Sequence, residues 1–303
     1  MATTVTVTSN YAGKEAGAIV GKAFKEADTI SKGLVTVFEN VNYKLNLRQI
    51  ELTGGRRQYT CGHVPAGSIT LSEKVLEPIK FKDDFEVCKE DFRAQWSEET
   101  MGASAHNDNA PKDIMDAILV EKLAQTAEDT DRIIWNGSSS VDSSEFNGFL
   151  TLWEADADVI DVDIAPVTEA NVEAQFKLAL NAVPVALRRK SLKMCVSPDV
   201  AQAYNFYLIS KGISNGLGGD ANTFPRFGKY EVVEVNGLPD NTIVIFDPKN
   251  LVFGTGLLAD HNEVRLVDQD ETMLNGKVIG TMVYNAGVSY YNGEEIVWAR
   301  PIA

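Results

Sequence analysis

The chain of 303 residues carries 28 basic against 43 acidic side chains, a formal net charge of -15, and is 44% hydrophobic. Such a composition suits a globular protein with one large core or two modest ones, and no window supplies the ~18–20 apolar residues of a membrane-spanning helix. The opening residues 1–14 lack the basic and apolar regions of a secretory signal, so folding in a cytoplasm is expected.

The charge is unevenly placed. Segments 1–43, 44–82, 83–174 and 175–303 carry balances of 0, +4, -18 and -1. Nearly all the excess acid therefore sits in one central block. That block cannot cradle phosphates, because nucleic-acid binding needs clustered Lys and Arg to release counterions. It reads as a solvated face.

Residues 13–33 predict an amphipathic helix. Ala16, Ile19, Val20, Ala23, Phe24, Ala27 and Ile30 recur at i, i+3/i+4 spacing, and Gly33 stands at the C-terminal position. A short apolar helix this near the terminus has little local core to join, so Ile19 and Phe24 are candidate contacts with a neighbouring surface. From Leu34 to Leu76 the period becomes two. Val35, Val37 and Val41, then Leu45 and Leu47, then Ile50 and Leu52 alternate with polar residues. The run breaks at Thr53-Gly54-Gly55-Arg56-Arg57 and resumes at Ile69, Leu71 and Val75. This predicts a long hairpin with a glycine turn near its tip. It is basic and poor in large apolar side chains, and an isolated two-stranded hairpin is marginal in water. Thr53, Gly54, Gly55, Arg56, Arg57 and Gln58 at its tip are therefore candidate contacts with a partner surface.

Residues 81–96 mix Phe85 and Phe92 with charge and suggest a strand and a short helix. Asn109-Ala110-Pro111 is a helix start, and 112–135 is strongly periodic, with Ile114, Ile118, Leu119, Val120, Leu123, Ala124 and Ala127 on one broad stripe. At ~1.5 Å per residue it would be about 36 Å long. Asn136-Gly137-Ser138-Ser139-Ser140 ends it. A second helix is predicted over 168–183, capped by Thr168 and stopped by Pro184. A short buried strand over 193–197 follows, and Ser197-Pro198 opens a helix to about Ser210. A glycine-rich loop spans 211–228, and short strands run from Tyr230 onward with turns at Asn236-Gly237 and Asn292-Gly293. No repeat of roughly 20–50 residues is visible, which argues against solenoids and propellers.

Residues that carry chemistry are sparse. His63, His106 and His261 stand in no nucleophile-elbow context, and there is no Gly-x-Ser-x-Gly run. Cys61-Gly62-His63 has no second Cys/His pair at zinc spacing, and the well-separated Cys61, Cys88 and Cys195 read as reduced thiols. Gly254-Thr255-Gly256-Leu257-Leu258-Ala259 matches the G-x-G-x-x-A dinucleotide pattern. Residues 260–268 read as turn and strand, however, where a helix should receive the pyrophosphate. Asp156, Asp158, Asp161 and Asp163 lack the order of a calcium loop and read as a solvated turn. No catalytic, cofactor-binding or metal-binding residue is nominated.

The order of elements is an N-terminal arm, a basic hairpin, one very long helix and a mixed region returning to strands. Local patterns accompany it: Ile133-Ile134-Trp135-Asn136-Gly137 closing the long helix, Asn147-Gly148-Phe149-Leu150 restarting the chain, and Met194-Cys195-Val196-Ser197-Pro198 before a helix. Phe227-Gly228-Lys229-Tyr230-Glu231-Val232-Val233 is followed by Leu238-Pro239, and an alternating strand over 278–291 closes on Ile296-Val297-Trp298. This arrangement resembles the major capsid proteins of tailed double-stranded-DNA bacteriophages, which share the Hong Kong 97-like fold with encapsulin shells. The likeness spans nearly the whole chain.

The resemblance implies an α+β fold with an N-terminal arm over 1–43 and an extended β-hairpin loop over 44–82. It implies a peripheral domain over 83–190 with its spine helix at 112–135, an axial domain over 191–270, and return strands of the peripheral domain over 271–303. It further implies a structural protein of the virion, not an enzyme, assembled in the bacterial host cytoplasm as pentamers and hexamers of an icosahedral head. Implied partners are a portal protein and packaged double-stranded DNA held without sequence-specific contacts. The 43 residues before the hairpin leave no room for a scaffolding segment, so a separate scaffolding protein is expected. Arg56 and Arg57 at the tip give no reason to expect the lysine–asparagine crosslink of some relatives. An acidic wall would repel DNA only within about 8 Å at physiological salt. Two other readings stand beside this one: an encapsulin-like compartment shell, and a nucleotide-binding enzyme built around Gly254 and Gly256.

Overall fold

Two six-stranded sheets that share an aromatic core organise the described residues, and a two-stranded hairpin stands beside them. The computed structural model describes residues 9–12, 28–39, 41, 43–56, 58–59, 61, 67–88, 112–212, 225–256, 263–269 and 277–302. Strand β1 (Ser9–Ala12) is followed by one helical turn, α1 (Asp28–Ser31). That turn falls within the segment 13–33 expected as a helix; residues 13–27, with Ile19 and Phe24, lie outside the described residues. Gly33 adopts a φ of +62°, its amide donates to Ile30, and the Leu34 amide donates to Thr29. These two bonds close a helix through a left-handed glycine, as the sequence predicted.

Strand β2 (Thr36–Phe38) leads to the hairpin strands β3 (Leu45–Thr53) and β4 (Ser68–Leu76), and then β5 (Ile79–Cys88). The long helix α2 spans Lys112–Asn136, one residue beyond its expected end. After it come α3 (Phe149–Glu154), β6 (Ile160–Asp163) and α4 (Val172–Ala182). The α4 helix starts four residues later than expected. Asn171 holds 168–171 as a turn, its Oδ1 accepting from the Thr168 amide and its Nδ2 donating to the Pro166 carbonyl. Such a side-chain bond competes with helix formation. The chain continues through β7 (Lys193–Val196), α5 (Pro198–Ser210), β8 (Arg226–Phe227), β9 (Tyr230–Glu234) and β10 (Ile243–Phe246). It finishes with β11 (Leu251–Thr255), β12 (Glu263–Asp268), β13 (Lys277–Tyr290) and β14 (Val297–Arg300).

In the first sheet β13 is the hub. It pairs antiparallel with β12 over 278–283, with β5 over 277–286 and with β11 over 286–290, while β1 extends β12 and β2 runs parallel to β11. The second sheet has the order β6-β14-β10-β7-β9-β8. Within the segment read as 191–270, β7 to β10 thus lie in the second sheet and β11 and β12 in the first. Strand β14, within 271–303, lies in the second. Helices α4 and α5 cover that second sheet through Phe176, Ala179, Tyr204 and Leu208. The other core joins α2, α3 and strands of both sheets around Trp135, Phe149, Trp153, Phe246, Tyr290 and Trp298.

Two glycine motifs meet where α2 ends. The Gly148 amide donates to the Gly137 carbonyl at 2.8 Å. A Cβ on Gly148 would lie 2.6 Å from the Ile133 carbonyl oxygen and 2.7 Å from that of Trp135. The stop at Gly137 and the restart at Gly148 are therefore one close backbone contact. Turn α1 docks on the same helix: the Thr29 amide donates to Asp131 Oδ1 at 2.8 Å, and Trp135 Nε1 donates to Thr29 Oγ1 at 2.7 Å.

Because a side chain at 148 would meet backbone that cannot swing away, Gly148→Ala is expected to lower stability by about 3 kcal/mol, read from a urea midpoint. Asp131 gives a second test. It is only 5% exposed, and its Oδ2 has no partner among the described residues. Burial pushes its carboxyl above the ordinary carboxylate range; the bonds from Thr29 and the charge of Lys32 oppose this and Asp28 adds to it. With the folded value raised, the ionised group costs stability at higher pH, and the cost vanishes as pH falls through that value. Asp131→Asn is therefore expected to stabilise by about 1 kcal/mol at neutral pH and to make no difference below about pH 4, as followed by thermal melts across pH.

Candidate functional site

The hairpin β3–β4 forms a two-stranded sheet of its own, in the register Leu45↔Leu76 to Thr53↔Ser68. Side chains alternate across a strand, so odd positions of β3 share a face with even positions of β4. The apolar residues change phase between Leu47 and Ile50, and the structure turns that change into two different faces. At the base, Leu47 and Leu76 are buried with Val41 and Val252. Farther out, on the opposite face, Ile50 pairs with Leu71 and Leu52 with Ile69. These four are 65%, 69%, 72% and 70% exposed, respectively. A groove of about 860 Å³ opens between Ile50 and Leu52 on one side and Arg189, Lys249 and Tyr291 on the other. Contiguous exposed aliphatics rimmed by charge mark a surface built to be covered.

The expected tip residues lie beyond this patch. Thr53, Gly54, Gly55, Arg56 and Gln58 are exposed, and Arg57 lies outside the described residues. Gly54 and Gly55 adopt φ of +80° and +109°, and Gly67 adopts +114° where the chain returns. Strand β3 ends at Thr53 and β4 begins at Ser68. The aliphatic quartet was missed as a site because alternation alone does not tell which face of the hairpin the body covers.

The base of the hairpin is also tied by charge. Lys74 Nζ lies 2.6 Å from Asp156 Oδ2 and 3.6 Å from the centre of the Tyr290 ring.

No family model and no curated protein sequence matches the chain. Solved structures match it over most of its length. The capsid of a native GTA particle aligns with a TM-score of 0.62 at 12% identity, covering 92% of this chain and 91% of that one. A chain of the satellite phage P4 procapsid, a particle that includes the size determination protein Sid, aligns at 0.58 and 13% identity, covering 94% and 98%. The virus-like particle of Pyrococcus furiosus aligns at 0.54 and 10% identity, covering 95% and 99%. The chain has the Hong Kong 97-like capsid fold.

Within this capsid fold the remaining motifs find other roles. Gly254 lies inside strand β11, and a Cβ there would sit 2.3 Å from Leu76 Cδ2. Its missing side chain admits the buried base of the hairpin. Gly256 likewise admits Asn285, whose Oδ1 accepts the Gly256 amide and whose Nδ2 donates to the Val41 carbonyl. Leu257, Leu258 and Ala259 lie outside the described residues. The aspartate run expected as a solvated turn contains edge strand β6, parallel to β14. Its acids take separate partners: Asp161 receives Arg300, and Asp163 receives the Ile302 amide. Cys195 is buried, which pushes its thiol up and makes it a poor nucleophile, whereas Cys61 is exposed. His63, His106 and His261 lie outside the described residues, as does the loop 213–224.

Proposed function

We propose that the chain is a structural, non-enzymatic shell protein, the major capsid protein of a tailed double-stranded-DNA phage. Its copies would assemble as pentamers and hexamers of an icosahedral head in the virion, formed in the host cytoplasm. The observation that carries this reading is the aliphatic quartet Ile50, Leu52, Ile69 and Leu71, left uncovered on a fold shared with capsid chains. A hairpin that buries only its base on its own body finds its missing cover on an adjacent copy. Many such modest contacts, repeated round a closed shell, add up through avidity.

In this reading 1–43 is the N-terminal arm, 44–82 the extended loop, and α2 the spine helix of a peripheral domain over 83–190. Residues 191–270 form the axial domain, with β11 and β12 carried on the peripheral sheet, and 271–303 return the chain. Thr53, Gly54, Gly55, Arg56, Arg57 and Gln58 contact a neighbour near the hairpin tip, and Ile19 and Phe24 contact one from the arm. A separate scaffolding protein, a portal protein and packaged DNA bound without base recognition complete the partners. The Pyrococcus furiosus particle favours a second reading, a compartment shell that closes around protein cargo. Particles recovered from the native host separate the two: double-stranded DNA inside supports a phage head, and enclosed protein supports a compartment.

The hairpin face supplies the direct test. Expressed with its scaffolding protein, the wild-type chain is expected to give closed shells by electron microscopy. Ile50→Lys combined with Leu71→Lys is expected to leave only small species, with the melting of the dilute chain unchanged because both residues are solvent-exposed. A wild-type chain that never exceeds small oligomers, or shells that form equally well from the double variant, overturns the proposal.

A further inference from the structure

We propose that Lys74, Asp156 and Tyr290 form a pin that fixes the angle of the hairpin against the body. The pin joins three distant parts of the chain: hairpin strand β4, the turn after α3, and the end of β13. Lys74 leaves the hairpin on the same face as Leu47 and Leu76, towards the body. Its ammonium reaches Asp156 Oδ2 at 2.6 Å and stands 3.6 Å from the Tyr290 ring centroid. Tyr290 OH donates to that same Oδ2 at 2.5 Å, so one oxygen receives both groups.

The receiving carboxylate is itself held still. Its Oδ1 accepts the Asp158 amide at 3.1 Å, and its own amide donates to the Trp153 carbonyl at 3.1 Å. A Cβ on Gly293 would come within 3.1 Å of Asp156 Oδ2, so the neighbouring turn packs tightly against it. Tyr290 is buried edge-on against Trp153, with ring centroids 6.5 Å apart. Asp156 and Tyr290 thus belong to the packed body, and Lys74 is the member contributed by the hairpin.

The distinction between the two ties decides the role of each. Packing of Leu47 and Leu76 against Val41 and Val252 is non-directional and tolerates rocking. A charge-assisted bond to a fixed oxygen, with the cation over a ring, is directional and selects one angle. Lys44–Glu77 and Arg48–Glu73 join hairpin residues to one another and hold no angle to the body. Lys74 is a positioning residue for the exposed quartet. The bearing of that angle on shell curvature rests on the capsid reading; the pin itself does not.

The pin also sets a pH limit. Burial opposes ionisation of Asp156, but Lys74 and Tyr290 outweigh it and hold the carboxyl below the ordinary range, with the Asp158 amide assisting. A depressed value means the pin is intact at neutral pH and is lost as pH falls through that value.

Hydrogen exchange on the dilute full-length chain tests this. Lys74→Met keeps the apolar stem and removes the charge; exchange over 45–53 and 68–76 is expected to speed up about tenfold, with 193–196 and 243–246 unchanged. Tyr290→Phe should give a smaller increase, and Lys74→Arg should retain protection. Lys74→Met exchanging at the wild-type rate overturns the pin. So does acceleration spread equally over 193–196 and 243–246, or loss of protection in Lys74→Arg equal to that in Lys74→Met. Electron microscopy then asks whether Lys74→Met shells vary more in diameter than wild-type shells. If the wild-type chain forms no shells, the capsid reading fails while the exchange result still decides the pin.

Discussion

The structure depends on one aromatic contact, the packing of Trp135 at the end of the long helix. Its ring lies 5.5 Å from Phe149, 6.1 Å from Trp153 and 6.0 Å from Phe246, and Trp153 in turn lies 6.2 Å from Trp298. Those rings come from α2, α3, β10 and β14, so helix, turn and second sheet converge on a single point. Tyr290 adds the hub strand of the first sheet. Large rings of this kind bury more apolar surface per residue than any other side chain and prefer the tilted and edge-on geometries seen here. Trp135 also donates to Thr29, so the incoming arm is registered on the same point.

The hairpin depends on this cluster at one remove. Asp156 follows α3 directly, and its amide is bonded to Trp153. The body therefore presents a fixed carboxylate to a strand that also packs on it through Leu76. Gly254 contributes from the other side by leaving room for Leu76. Under the proposed shell reading, rigidity at the base and exposure farther out are consistent demands, because preorganising a contact surface lowers the cost of binding.

Much of this was legible in the sequence where local rules dominate. The 3.6-residue stripe and flanking Pro111 and Gly137 bounded α2 to within a residue, and Gly33 marked a helix end through its backbone freedom. The base of the hairpin followed from strict alternation. What local rules could not supply was partnership. Helix α3 is six residues long, too short for periodicity, and exists because Phe149 and Trp153 are buried against Trp135. The Asn171 side chain moved the start of α4, a competition that propensity does not resolve. Lys74, Asp156 and Tyr290 are 82 and 134 residues apart along the chain. No spacing rule joins them. The phase change between Leu47 and Ile50 was visible, but its meaning required knowing which face the body covers.

The path of the chain between the two sheets has a consequence for mechanical behaviour. Strands β11 to β13 lie in the first sheet, yet β10 before them and β14 after them are neighbours in the second. The chain thus leaves the second sheet after β10 and re-enters it beside β10 at β14, so the first sheet is tethered to the second at two neighbouring points. Because Trp153 meets Tyr290 of one sheet and Trp298 of the other, prising the sheets apart would also expose that shared aromatic centre to water.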